Sequence, residues 1–242
     1  MHSWMYDEYK HCGIDYSKAM QAEAYDDQHQ KFRDYEKEFR GMLEFLELRN
    51  TTDQTVVDLG CGTGATAIFA AGLFKTVYAA DVSSAMLEKA KAKSDRNIHN
   101  VRFIEAGFLT YRHEGEPADL VITKAALHHL PDFWKQVALL RMNKMLKMGG
   151  LLYIHDVVFQ FDPKVYAGKI DSWIGTFEEV AGAEFRAEVE THIRDEYSTF
   201  GWILEGMLLA AGFAVEKVRC DDGLVAEYAC RKVKEVNLDE AV

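Results

Sequence analysis

Three groups of residues have the types and spacing that chemistry needs. The first is the run Val56-Val57-Asp58-Leu59-Gly60-Cys61-Gly62-Thr63-Gly64. Glycine at every second position lets the backbone turn tightly and lets a ligand approach the main chain without a Cβ clash. Free N–H groups at the start of a following helix would face that ligand. Asp81 comes 17 residues after Gly64, where a carboxylate can accept two charge-assisted hydrogen bonds from a ribose diol. The spacing Gly-x-Gly-x-Gly, preceded by Asp58, departs from the Gly-x-Gly-x-x-Gly of dinucleotide sites. An acid beside the loop repels a pyrophosphate and attracts a cation or an ammonium group. That favours a zwitterionic sulfonium nucleoside over a dinucleotide. The plainer reading, a ligand-free glycine turn, would carry a backbone-entropy cost that packing alone rarely requires.

The second group is His128-His129 and the third is His155-Asp156. Adjacent residues of a turn do not face one way, so one of the two histidines is expected to point into a site. A base working near pH 7 is a natural histidine role, and loop hydrogen bonding is the plain alternative. Strand alternation sends His155 and Asp156 to opposite faces. A metal centre built from His128, His129, His155 and Asp156 lacks ligand spacing on any one element, so no metal is expected. Tyr25 could cover a sulfonium with its aromatic face or simply pack a helix. Tyr197, Phe200 and Trp202 could line a pocket, although their helical spacing suits core packing as well. Cys61 has no neighbouring base and reads as a small loop residue rather than a nucleophile.

These residues need elements to position them. Residues 32–48 place Phe32, Tyr35, Phe39, Met42, Leu43 and Leu46 at spacings of three and four, one face of a helix. A strand–helix alternation follows: strands at 55–59, 76–80, 101–105, 118–123 and 151–158, with helices at 65–74, 83–94 and from Asp132 to the Met148-Gly149-Gly150 stop. Ser83 or Ser84, and Asp132, are the expected caps. Strands apolar on both faces and alternating with helices predict a parallel sheet covered on both sides. Residues 159–200 are helical in texture, without a strand signal, and read as an insertion over the open end of the sheet. A helix at 198–211 then leads to strands at 213–220 and 225–231, joined by Asp221-Asp222-Gly223.

The successive segments VVDLGCGTG, VYAADVSSAML, ADLVITKAALHHLPD and LKMGGLLYIHDVVF resemble the motifs of class I S-adenosylmethionine-dependent methyltransferases. The resemblance runs from about residue 20 to residue 231. It includes small bacterial enzymes with FHHL- or LHHL-type motifs, similar to ubiquinone/menaquinone and other small-molecule methyltransferases. It implies one α/β domain with a doubly wound, Rossmann-like, seven-stranded sheet, mostly parallel with an antiparallel C-terminal strand. Within it, residues 1–50 would form an N-terminal helical flap, 51–158 the cofactor core, and 159–200 the cap. Residues 201–232 would form the closing helix and hairpin, and 233–242 a tail. Residues 1–30 and 159–200 together are expected to form a mobile cover.

Carried over by position, the resemblance implies S-adenosylmethionine as cofactor. Gly60, Gly62 and Gly64 would line its methionine part and Asp58 would lie near its amino group. Asp81 would bind the ribose hydroxyls, while Val82 and Met86 would pack by the adenine. Tyr25 and Lys124 complete the cofactor set. The segment 105–109 would reach the adenine edge, but many relatives have an acid where this chain has Gly107. Either a backbone carbonyl replaces that acid or stacking on Phe108 does more. His128 is the candidate catalytic group; His129, Asp156 and Tyr197 are candidate substrate contacts. Methyl transfer from a sulfonium chiefly needs alignment and exclusion of water, and a base only where the acceptor must lose a proton.

Composition narrows the acceptor. Acidic residues number 39 against 28 basic ones, a net charge of −11, which disfavours a polyanionic partner. The stretch after the fourth strand, Lys124-Ala125-Ala126-Leu127, lacks the Asn/Asp-Pro-Pro-aromatic loop of amino-methylating enzymes that act on adenine or glutamine amides. None of the four cysteines follows a proline, as the nucleophile of cytosine chemistry would. A small-molecule acceptor is therefore expected, with neither nucleic acid nor membrane as partner, in a monomer or homodimer. Scattered cysteines and the lack of a signal-like N-terminus point to the cytoplasm. The alternatives are a non-catalytic module that binds the cofactor and a nicotinamide-dependent oxidoreductase.

Overall fold

The computed structural model describes residues 3–10, 12–13, 25–26, 33–94 and 98–238. Tyr16 and Phe32, which the sequence places in the N-terminal helical flap, and the end of the tail beyond residue 238 lie outside them. Seven helices are described: α1 Tyr35–Phe45, α2 Ala65–Ala71, α3 Ser84–Lys93, α4 Asp132–Met145, α5 Tyr166–Ala181, α6 Ala183–Asp195 and α7 Gly201–Ala210. The strands are β1 Thr55–Leu59, β2 Thr76–Asp81, β3 Val101–Glu105, β4 Ala118–Lys124, β5 Leu146–Phe159, β6 Thr199–Phe200, β7 Phe213–Asp221 and β8 Val225–Lys232.

The sheet runs β3-β2-β1-β4-β5-β8-β7. Its first five strands are parallel, and β8 is antiparallel to both β5 and β7. The expected mostly parallel, seven-stranded sheet is thus present, and the C-terminal hairpin inserts its second strand beside β5.

Strand alternation divides the core into two layers. Val56, Val77, Leu120, Ile122 and Tyr153 turn to one face, where they meet Phe39 and Met42 of α1, Ala67 and Ala70 of α2 and Leu87 of α3. Val57, Leu59, Val121, Leu152 and Ile154 turn to the other, where they meet Leu139 and Met142 of α4 and Leu204 and Leu208 of α7. Each fully buried Leu or Val contributes about 1.5–3 kcal/mol, so β1 and β4 cannot slip by one residue without exchanging both layers.

Three local expectations are corrected. Helix α4 stops at Met145, and Met148-Gly149-Gly150 lies within β5, where the pairing with β4 shifts register between Ala118 and Leu120. Gly149 has φ +78, so the glycines serve an irregularity at the start of the strand rather than a helix stop. Pro131, not Asp132, is the cap of α4; the Asp132 carboxylate instead accepts from Lys135 Nζ at 2.8 Å and from Thr199 Oγ1 at 3.2 Å. The insertion carries a strand after all, because Thr199 and Phe200 pair with Val158 and Phe159. Ser83 caps α3 as expected, accepting from Met86 N at 3.2 Å.

Candidate functional site

Strands β1, β2 and β4 end together at one edge of the sheet, and the loops that follow them frame a cavity of about 1300 Å³ including its mouth. Gly60, Gly62 and Gly64 all take positive φ, +74, +54 and +79, which side-chain-bearing residues rarely adopt. Gly60 and Gly62 line the cavity. Gly64 does not; a Cβ there would stand 2.7 Å from the Ala90 Cβ. Close packing of the loop against α3 accounts for glycine at this position.

Of the residues singled out from the sequence, Tyr25, Asp58, Asp81, Val82, Met86, Gly107, Phe108, Lys124 and His129 share the cavity wall with those two glycines. Asp81 accepts from Gly62 N and from Ser83 N, both at 2.8 Å. Burial pushes its carboxyl up, against those two N–H bonds. The Asp58 carboxyl is buried, and its Oδ2 has no hydrogen-bond partner among the described residues. Burial pushes it up to about 7, with nearby Lys124 opposing and Asp81 adding to the rise. A buried carboxylate oxygen without a partner is costly, and a ligand ammonium would relieve that cost. Lys124 Nζ is held by Glu38 at 2.9 Å, and Glu38 is paired in turn with Arg33 at 2.7 Å. Residues 25–26 sit over the loop, where Asp26 joins Thr63 Oγ1 at 2.7 Å to Lys93 Nζ at 2.7 Å. The Cys61 thiol is pushed up by burial and by Asp58 and Asp81, so it stays a neutral thiol, as its lack of a base predicts.

His128, Asp156 and Tyr197 do not reach this wall. His128 turns behind it: its Nδ1 lies 2.5 Å from Asp156 Oδ1 and its Nε2 lies 3.3 Å from Glu196 Oε2. Asp156 is held by Leu127 N at 2.8 Å and Val157 N at 2.7 Å. Tyr197 is exposed, and its backbone N–H donates to His128 O at 2.8 Å. His129 is the histidine on the cavity wall. Burial and then His128 push it down to about 4.

Two contributions were missed from the sequence. Glu8 accepts from Leu109 N at 3.0 Å and from Thr110 Oγ1 at 2.6 Å, which brings a carboxylate to the cavity wall beside Gly107. Nothing in the polar N-terminal segment singles Glu8 out. His192 and Glu196, four apart at the end of α6, meet at His192 Nδ1 and Glu196 Oε2; their i,i+4 spacing is a visible signal.

The methyltransferase-domain family matches residues 56–150. An uncharacterised methyltransferase of Bacillus subtilis is 28% identical over 190 residues, covering 78% of this chain and 83% of that one. One from Geobacillus thermodenitrificans is 26% identical over 200 residues, covering 80% and 86%. Over 108 residues the chain is 32% identical to (S)-coclaurine N-methyltransferase of Papaver somniferum, 43% of this chain and 30% of that one. Among solved structures, an S-adenosylmethionine-dependent methyltransferase of Aquifex aeolicus superposes with TM-score 0.62 at 18% identity, covering 89% and 99%. Magnesium protoporphyrin IX methyltransferase of Synechocystis, solved with bound S-adenosylmethionine, gives 0.56 at 15%, covering 93% and 88%.

Proposed function

The chain belongs to the class I S-adenosylmethionine-dependent methyltransferases, and we propose that it methylates a small molecule held inside the cavity rather than a macromolecule. The observation that carries this reading is that the chain's own N-terminal residues wall the cavity: Glu8, Lys10 and Cys12 stand with Tyr25 and His129 around it. Two matched proteins, by their names, act on small molecules, and the net charge of −11 opposes a polyanion.

When bound, S-adenosylmethionine supplies an already activated methyl group. The residues that would hold it fit that group. Asp58 would receive the ammonium and Asp81 the ribose diol, with the loop backbone at Gly60 and Gly62 against the methionine part. Val82, Met86 and Phe108 would enclose the adenine. Glu8 supplies the carboxylate that position 107 lacks and would accept from the adenine amino group. Tyr25 and the N-terminal residues exclude water, and His129, neutral at physiological pH, faces the acceptor side. The enzyme would work in the cytoplasm, consistent with four free cysteines; among the described residues no helix is long and apolar enough to cross a membrane.

The test is release of S-adenosylhomocysteine from the purified protein across a panel of small thiols, amines, phenols and carboxylic acids. Turnover with members of the panel supports the reading. Cofactor binding without turnover on any of them, or turnover only on a protein or nucleic acid, overturns it.

A further inference from the structure

Behind one side of the cavity, side chains from two elements converge. His128 and His129 lie in the short helical turn Leu127–His129 that follows β4. Glu196 follows α6, one helical turn after His192. His128 Nε2 stands 3.3 Å from Glu196 Oε2, and His192 Nδ1 meets the same oxygen. The ring centroids of His128 and His129 are 4.4 Å apart, and those of His128 and His192 are 4.6 Å apart. One donor atom from each of His128, His129 and Glu196 lies within 4.8 Å of the others.

We propose that His128, His129 and Glu196 form a site for a divalent transition-metal ion of the zinc type, at the edge of the acceptor pocket. Four features support it. The ligands are two imidazoles and a carboxylate, the donor set that suits zinc and its neighbours rather than calcium or magnesium. His128 Nδ1 is taken by Asp156 at 2.5 Å, the carboxylate–histidine arrangement that orients a metal-bound imidazole and leaves Nε2 for the ion. Asp156 is itself fixed by backbone N–H groups from Leu127 and Val157, so the orienting group is rigid. Glu196 is closed off from outside: its side chain is 3% exposed, and a Cβ at Gly13 would overlap its carboxylate. Glycine at that position lets the backbone of residue 13 lie directly against Glu196.

Three protein ligands with one position left open is the pattern of a catalytic zinc site. His129 belongs both to the cluster and to the cavity wall, so the open position would be reached from the cavity. The acceptor class is then a small molecule with a metal-binding thiol or hydroxyl, whose proton is lost more readily when coordinated. This refinement of the acceptor rests on the methyl-transfer reading; the ion site itself does not.

The full-length protein, stripped with chelator, is titrated with Zn²⁺ against a chromophoric competitor and separately with Co²⁺ followed by visible absorption. Uptake of one ion per chain is expected, with cobalt d–d bands that Zn²⁺ displaces. In Glu196→Gln, and independently in His129→Ala, Zn²⁺ affinity should fall at least about tenfold. Circular dichroism confirms that each variant is folded, and calorimetry with S-adenosylhomocysteine on Glu196→Gln should match wild type. Absence of stoichiometric uptake by the wild-type protein, or equal uptake by the folded variants, overturns the site. Failure of wild-type protein to bind S-adenosylhomocysteine would instead overturn the methyl-transfer reading while leaving the metal result to stand.

Discussion

The carboxyl carbon of Glu8 lies 2.5 Å from where a Cβ on Gly107 would stand, so the N-terminal segment sets a carboxylate directly against position 107. The Glu8 carboxylate accepts from Leu109 N through both oxygens and from Thr110 Oγ1, which leaves some lone-pair capacity because a carboxylate offers about four acceptor sites. Burial pushes Glu8 up, with the Thr110 and Leu109 bonds opposing. Glu8→Ala should weaken S-adenosylhomocysteine binding roughly tenfold to a hundredfold, the loss of one charge-assisted hydrogen bond at about 1.5–3 kcal/mol. Calorimetry at pH 7.5 measures it. Binding within twofold of wild type would remove Glu8 from the adenine contact.

Crowding at position 107 gives a companion prediction. A Cβ there would also meet Val82 Cγ1 at 2.6 Å, so Gly107→Ala should displace Glu8 and lower cofactor affinity although the residue itself donates nothing. In the Glu8→Ala background the same change has one obstacle fewer. Its additional effect should therefore be smaller, a non-additivity of the kind expected for residues in contact. Equal effects in both backgrounds would show that the two positions act independently.

Asp81 carries the ribose contact in the proposed site. Its carboxylate already accepts from Gly62 and Ser83 backbone N–H groups, so it organises the loop as well as offering itself to the diol. Asp81→Ala should reduce affinity by about 1.5–3 kcal/mol for each charge-assisted bond lost, and should loosen the loop. Asp81→Asn keeps one carbonyl acceptor and should lose less. Calorimetry giving the same affinity for both variants as for wild type would remove Asp81 from the ribose contact.

What could be read in the sequence follows a physical divide. The sheet and its glycine loop were legible because local rules govern them: β1 and β4 are buried on both faces, and three glycines in nine residues mark a backbone with positive φ. Asp58 and Asp81 lie at the C-terminal ends of β1 and β2 and Met86 in the first turn of α3, positions that the strand–helix alternation predicts. The rest of the cavity wall was not legible, because it depends on contacts between distant segments. Glu8 reaches Leu109, 101 residues away, and no spacing rule connects them. Of the two adjacent histidines the sequence reading favours His128 as the catalytic group, but the fold gives His128 to Asp156 and puts His129 on the cavity wall. Gly64 belongs to the glycine motif on paper, and the fold adds a second reason for glycine there, its packing against Ala90. Gly149 and Gly150 read as a helix stop, but the pairing of β5 with β4 holds them in a strand.

Asp58 links acidity, stability and binding. Its folded carboxyl holds its proton to about pH 7, against an ordinary value of 3.8, because burial disfavours the charge. The folded state therefore binds one more proton than the unfolded state across that window. Without ligand, this group's contribution to stability is greatest in acid and declines as pH rises from about 4 to 7, by at most about 4 kcal/mol. A ligand ammonium reverses the preference by favouring the carboxylate. Cofactor binding at pH 6 should then release up to one proton per chain, and affinity should rise with pH until it levels off above about 7. Calorimetry in two buffers of different ionisation enthalpy reads the proton directly. Asp58→Asn supplies the complementary measurement: the neutral amide should raise the melting temperature of the ligand-free protein at pH 8 while weakening cofactor binding and flattening its pH dependence. A variant that binds with wild-type affinity and keeps the wild-type pH slope would exclude Asp58 as the partner of the ammonium.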